Sequence, residues 1–329
     1  MQIRQWVENK WYSKSPGLLW ALYPLEILVR LFTRAKLRHR NTSLVVDTPV
    51  MVVGNVTVGG TGKTPLIAAL AQHYIDSGLR VAIIARGYNS DVGQSVIEVD
   101  PSHSTDDVGD EPKLLANRGF KVFVSQDRYA AAEVAANVAD LVISDDGLQH
   151  YRLPRRFEVC VVDGKRVFGN GRLLPMGPLR ESVSRLNYCD AIIINTGAKP
   201  SADALINFDV PVFCMSITVD GFYRINDGTP CSPPIAAPVV SGIGNPSRFY
   251  DSLRSLGVST DVVHEFDDHH RYSDADLMQL QGPFVTTEKD AVKLRGRVSD
   301  DAVYLRIGAN LDKLATDHFD LLMTSVKGK

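Results

Sequence analysis

The stretch from residue 51 to residue 74 constrains this chain more than any other. It runs from the apolar string M-V-V-G-N through V-T-V-G-G-T-G-K-T-P into the helical string L-I-A-A-L-A-Q-H-Y. A buried strand, a glycine loop and a helix in that order form a cradle for a nucleoside triphosphate. The loop is read as Thr57, Val58, Gly59, Gly60, Thr61, Gly62, Lys63 and Thr64. Gly59, Gly60 and Gly62 let backbone N–H groups turn toward phosphate oxygens, Lys63 puts a cation at the β and γ phosphates, and Thr64 offers a hydroxyl to magnesium. The commonest pattern, G-x-x-x-x-G-K-S/T, asks for glycine where this chain has Thr57. A plain glycine-rich turn before a helix is the competing reading, and the flanking elements argue against it.

Short β-branched runs at 50–54, 80–85, 121–124, 141–145, 158–163 and 191–195 alternate with helical stretches. Runs that are nearly all apolar belong to strands buried on both faces, and their alternation with helices predicts a doubly wound parallel sheet. The pattern changes near residues 214–231, where N-D-G at 226–228 signals a tight hairpin turn and Pro230, Pro233, Pro234 and Pro238 follow. Beyond it, strand-like 239–241, 262–264, 284–286 and 302–306 alternate with helix-like 246–256, 273–280 and 289–295. A chain of 329 residues is long for a single core. The expected fold class is therefore α/β: a P-loop NTPase sheet with a second, smaller α/β domain and an N-terminal membrane-associated helix. The expected division is 1–40 for that helix and its basic flank, 41–212 for the P-loop core, 213–236 for a hairpin linker and 237–329 for the smaller domain.

Residues 18–32 read L-L-W-A-L-Y-P-L-E-I-L-V-R-L-F, too short and too charged for a standard transmembrane helix. Arg34, Lys36, Arg38 and Arg40 follow where a signal peptide would carry a small-residue cleavage site, so the segment is expected to be retained. At helical spacing Tyr23, Glu26, Arg30 and Arg34 make one narrow polar stripe, and Leu19, Leu22, Leu25, Ile27, Leu28, Val29, Leu31 and Phe32 cover the rest. Residues 1–40 hold eight Lys or Arg and two Glu, a net +6 in a chain of net −2. One basic terminus beside an apolar run points to anionic lipid headgroups rather than nucleic acid. A helix packed on the protein's own core is the alternative, but it leaves the basic flank without a use. An apolar share of 44% with 22% charged residues excludes wholesale disorder and a polytopic membrane protein. Cys160, Cys189, Cys214 and Cys231 form no C-x-x-C pair, so they are expected to be reduced core thiols of a cytosolic compartment.

The apolar run 141–144 ends in Asp145 and Asp146, and an acidic strand end after a P-loop holds the magnesium shell. Adjacent carboxylates of an extended strand point to opposite faces, so at most one of the two faces the metal unless the strand breaks. His150 is as readily a hydrogen-bonded scaffold residue as a substrate contact.

Eight strings run in order along the chain: G-N-V-T-V-G-G-T-G-K-T-P, A-R-G-Y at 85–88, G-D-E-P at 109–112, D-D-G-L-Q-H at 145–150, G-N-G-R-L-L-P-M-G-P-L-R-E at 169–181, G-I-G-N-P at 242–246, D-H-H at 268–270 and T-T-E-K-D-A-V-K-L at 286–294. Together they closely resemble the tetraacyldisaccharide 4′-kinase family, the lipid A 4′-kinases, from the N-terminal helix to about residue 294. The resemblance implies ATP-dependent phosphorylation of the 4′-hydroxyl of a tetraacylated glucosamine disaccharide 1-phosphate, with ATP and Mg²⁺ as cofactors. It implies the cytoplasmic face of a bacterial inner membrane, a lipid disaccharide and anionic lipids as partners, no nucleic acid and no obligate protein partner. The family's loop is similar at Thr57. Carried over by position, Asp110 matches the catalytic aspartate, Glu111 a magnesium-side carboxylate and His269 the histidine that pairs with the aspartate; Asp268 and His270 beside it leave that choice open by one position. From its residues alone, G-D-E-P reads as a loop. An aspartate that accepts the hydroxyl proton, oriented by a histidine, with Lys63 and magnesium, is a sufficient set for phosphoryl transfer. Arg172 and Arg180 sit among glycines and prolines that fix an extended loop, where arginine can hold a phosphate, although either can equally be a solvated surface residue. The 242–246 loop opens a helix whose backbone can meet nucleotide. Thr287 to Asp290 places its lysine one position late for guanine readout, which favours ATP.

Two rivals stand beside this reading. A membrane-associated nucleotide switch or metallochaperone would carry a guanine-selecting motif or metal-binding cysteines, and a soluble small-molecule P-loop kinase would pack its N-terminal helix on its own core.

Overall fold

The computed structural model describes residues 2–38, 44–87, 93–196, 208–234 and 236–327. Arg40 of the basic flank and Tyr88 of the A-R-G-Y string lie outside the described residues. The chain groups into two compact units, Met1–Ala85 with Arg128–Ile217 and Asn310–Lys329, and Arg86–Asp127 with Thr218–Ala309.

In the first unit the strands Val81–Ala85, Leu141–Asp145, Val50–Gly54, Phe157–Asp163, Ala191–Asn195 and the start of Val212–Arg224 lie side by side in that order, all parallel. Every residue of the first five is buried, as their predominantly apolar character requires for strands covered on both faces. Helix Lys63–Asp76 buries Leu66, Ile67, Leu70, Ala71 and Tyr74 against this layer. The register places Val53 beside Asp145, so the strand that feeds the glycine loop and the strand that ends in the acidic pair finish at the same level. Ligand sites of such sheets lie at these C-terminal strand ends.

In the second unit Val263–Glu265, Val239–Ser241, Val285–Thr287 and Val303–Leu311 are neighbouring parallel strands. Ile97–Glu98 pairs antiparallel with Lys121–Val124. Two apolar clusters form the core here, one around Tyr272, Phe284 and Leu294 and one around Phe249, Leu253 and Val285.

These units differ from the expected division. Residues 86–127 group with 218–309 because helix Asp110–Asn117 packs on helix Glu288–Leu294, and 310–329 group with the first unit, where His73 meets Asp320 at 2.8 Å. The expected linker opens as a strand, Val212–Arg224, whose end turns through N-D-G and pairs back on Pro230–Cys231. Cys160 and Cys189 are buried, whereas Cys214 and Cys231 are only half-buried, and all four are free thiols.

The N-terminal segment forms helix Gln2–Trp11, a 3₁₀ turn at Gly17–Leu22 and helix Tyr23–Arg38. Its amphipathic pattern is inverted relative to a core-packed helix. Glu26 is 0% exposed, while Leu28 and Phe32 are each 61% exposed and Leu25 and Leu31 about as open. The buried carboxylate accepts hydrogen bonds from Arg30 at 2.7 Å and from the Leu173 N–H at 3.4 Å. Among the described residues no helix is long and apolar enough to cross a membrane.

Candidate active site

In the first unit, helix Lys63–Asp76 begins directly at the lysine of the glycine loop, with Gly62 before it in left-handed conformation at φ 95°. A Cβ on Gly62 would lie 2.6 Å from the Asn195 amide, so only glycine fits this turn. Thr57 needs no such freedom: it is buried and bridges Leu179, and its carbonyl accepts the Asn55 amide at 2.8 Å. The Asn195 amide donates to the Thr61 carbonyl at 3.0 Å, Arg166 donates to the Gly60 carbonyl, and the Val58 N–H donates to the Pro178 carbonyl at 2.8 Å. The loop is thus held by side chains and backbone from several strand ends, which keeps its N–H groups oriented in advance.

Lys63 Nζ donates to Asn55 Oδ1 at 3.2 Å and lies 3.4 Å from Asp146 Oδ1. Asp146 also accepts from Arg180 at 2.8 Å. The strand does break between the paired aspartates: Asp145 is its last residue, buried, and Asp146 turns into left-handed conformation at φ 49°. That turn brings its carboxylate to the loop lysine, and the Asp145 carbonyl accepts from Arg128 at 2.7 Å. Burial pushes the Asp146 carboxyl up, but Lys63 and Arg180 outweigh it and hold it well below the usual carboxylate range.

Of the substrate candidates, Arg180 joins this cluster, Arg172 contacts the N-terminal segment and the backbone of His150 forms a turn. Arg172 lies 3.7 Å from the buried Glu26 carboxylate, with its guanidinium 4.5 Å from the Trp20 ring centre, so it faces the N-terminal segment. His150 belongs to a turn: its N–H donates to the Gly147 carbonyl at 2.9 Å and its carbonyl accepts from Arg155. Sequence reasoning passed over its neighbour Gln149, which donates to the Asn55 carbonyl and to Glu181, each at 3.0 Å.

In the second unit G-D-E-P is the start of a helix. Gly109, at φ 91°, caps Asp110–Asn117, and Asp110 and Glu111 fill the first turn, where the helix dipole favours carboxylates. His269 Nδ1 lies 3.1 Å from Asp110 Oδ2. His270 is engaged otherwise, 3.1 Å from Asp276 and stacked on Phe266, so the geometry separates the adjacent histidines. Lys293 Nζ stands 3.5 Å from Asp110 Oδ2. Burial pushes the Asp110 carboxyl up, but the hydrogen bond from His269 and the charges of Lys293 and Lys289 bring it below the usual carboxylate range. Glu111 Oε1 lies 3.6 Å from Lys289 Nζ. Arg271, Tyr272 and Arg297 join Asp110, His269 and Lys293 around a pocket.

The T-T-E-K-D string is a helix cap. The Thr287 hydroxyl accepts the Asp290 N–H at 3.1 Å, and the buried Asp290 accepts the Gly242 N–H at 2.9 Å. The Gly242 N–H is therefore occupied, at odds with a role for it in meeting nucleotide. Lys289 and Lys293 were missed as site residues, although their four-residue spacing on a helix was the available signal that both face one side.

The family model described as tetraacyldisaccharide-1-P 4′-kinase matches residues 18–324. A tetraacyldisaccharide 4′-kinase of Alcanivorax borkumensis is 45% identical over 300 residues, covering 88% of this chain and 89% of the relative. One from Stutzerimonas stutzeri is 39% identical over 317 residues, covering 94% of this chain and 93% of the relative. The crystal structure of the "apo" form of LpxK from Aquifex aeolicus in complex with ATP aligns with a TM-score of 0.78 at 25% identity, over 94% of this chain and 99% of that one. The chain belongs to the tetraacyldisaccharide-1-phosphate 4′-kinase family.

Proposed function

We propose that this chain transfers the γ-phosphoryl group of ATP to the 4′-hydroxyl of a tetraacylated glucosamine disaccharide 1-phosphate, yielding the 1,4′-bisphosphate. The observation that carries the reading is the pairing of His269 with Asp110, because a switch that only hydrolyses nucleotide slowly has no need of a carboxylate set up to take an alcohol proton. The acceptor hydroxyl gives its proton to Asp110 as its oxygen bonds to phosphorus and the bond to the ADP oxygen breaks. Lys63 and the loop N–H groups stabilise the charge on the donor's phosphate oxygens. Thr61 Oγ1 is buried without a hydrogen-bond partner among the described residues, which leaves a donor for a phosphate oxygen.

Magnesium fits the oxygen donors present. Such an ion keeps several waters and takes one or two carboxylates plus phosphate oxygens. The Thr64 hydroxyl and one carboxylate of the pair Asp145 and Asp146 would hold it on the loop side, with Glu111 as a further carboxylate. When bound, the ion neutralises charge on the bridging phosphate oxygens.

The N-terminal segment seats the enzyme on the cytoplasmic leaflet of a bacterial inner membrane. Leu25, Ile27, Leu28, Leu31 and Phe32 are exposed while Leu19 is buried in the protein and the Glu26 carboxylate faces in, the arrangement that suits a helix lying in an anionic lipid interface. Labelled ATP incubated with the lipid acceptor in mixed micelles tests the whole reading. Label should move to a lipid on thin-layer chromatography, and release of inorganic phosphate alone would favour the nucleotide switch.

A further inference from the structure

The His269 ring has a second partner, which decides where its proton sits. Backbone at φ 60° turns the residue so that Nδ1 faces Asp110 at 3.1 Å and Nε2 faces Lys289 Nζ, also at 3.1 Å. An ammonium has three donors and no acceptor, so Nε2 receives the hydrogen bond and the ring's proton lies on Nδ1, directed at the carboxylate. Asp268 Oδ1, the acidic atom that would favour a proton on Nε2, is 4.0 Å away, beyond hydrogen-bond reach. Lys289 is itself gripped by Glu111 and Asp268, each at 3.6 Å.

We propose that Lys289 is a positioning residue that locks His269 in the Nδ1–H form and thereby makes Asp110, not the imidazole, the group that takes the acceptor's proton. The proposal rests on the reading of Asp110 as proton acceptor given above. With Nε2 covered by a donor, the ring cannot take a proton there unless Lys289 moves. Nδ1 and Lys293 both address Oδ2, so Oδ1 is the oxygen assigned to the substrate hydroxyl. The proton then passes from hydroxyl to Oδ1 and later to solvent, and His269 neither gains nor loses one.

The test uses full-length enzyme labelled with ¹⁵N at histidine, with the His269→Gln spectrum assigning the ring. Long-range ¹H–¹⁵N correlations should show His269 protonated at Nδ1 and bare at Nε2. Lys289→Met should move part of the population to Nε2–H and lower kcat about 10–100-fold, the usual size for an outer partner that orients a working group, with KM for ATP nearly unchanged. Lys289→Arg, which also only donates, should restore both the tautomer and most of kcat. A wild-type ring protonated at Nε2, or a Lys289→Met enzyme that loses activity with its tautomer unchanged, or keeps full kcat, overturns the proposal. The wild-type spectrum decides even if a variant fails to fold. Wild-type turnover in Asp110→Asn would instead remove the reading beneath it and leave the tautomer result standing.

Discussion

Lys63 Nζ lies 3.4 Å from Asp146 Oδ1, so the cation of the glycine loop already has an anion beside it. Replacing Lys63 by Met removes the charge meant for the phosphates while leaving the glycine turn intact. Turnover should fall by about 10²–10³-fold or more, as for loss of one preorganised transition-state donor. Thr64→Ala and Glu111→Gln should instead raise the magnesium concentration needed for half-maximal rate. Near wild-type turnover in Lys63→Met at saturating magnesium would contradict the loop assignment.

The same pair sets an acid dependence. Asp146 has a folded-state carboxyl held below its unfolded value of about 3.9, so its ion pairs add stability above that pH and lose it as pH falls through the folded value. Wild type should be more stable than Asp146→Asn at neutral pH, and the gap should begin to narrow as the pH drops below about 4. Urea midpoints of both proteins measured from pH 3 to pH 7 would show this, and a gap independent of pH would contradict it.

Asp110 and His269 act as one unit in this account. Each single alanine variant should lose about 10²–10⁴-fold in kcat, with little change in ATP affinity. The double variant should be hardly worse than the worse single, because residues of one unit are not additive. Losses that multiply cleanly would show separate roles, and a loss confined to ATP binding would make Asp110 a nucleotide ligand.

Glu26 ties the outward-facing helix to the Leu173 N–H and to Arg172. Glu26→Ala leaves a buried N–H without an acceptor and should cost about 1–3 kcal/mol in denaturant unfolding. Deleting residues 1–40 should leave ATP binding intact and cut both vesicle sedimentation and turnover on membrane-borne acceptor. Equal sedimentation and equal rate in the truncated protein would mean that the helix is a core element.

Most of the framework was legible because it depends on local pattern. The largely apolar runs at 50–54, 121–124, 141–145, 191–195 and 239–241 are strands with those bounds, since short runs rich in β-branched residues favour the extended conformation of a covered sheet. The unit boundaries were not legible: 86–127 join 218–309 through packing of helices far apart in sequence, which no local signal carries. Asp145 and Asp146 were seen as a pair, but the turn at Asp146 that brings it to Lys63 depends on ion pairs with residues distant along the chain. The contact of Asp110 with His269 rested on resemblance alone, because 159 residues separate them, and Lys289 was read only against a guanine motif.

Transfer to an alcohol of the disaccharide can be read from ³¹P NMR of the lipid product. Enzyme, ATP, magnesium and tetraacylated disaccharide 1-phosphate should give one new phosphomonoester resonance beside the original, correlated to the sugar proton at the 4′ carbon. A diphosphate resonance at the 1-position, or free phosphate with the lipid spectrum unchanged, would contradict the account.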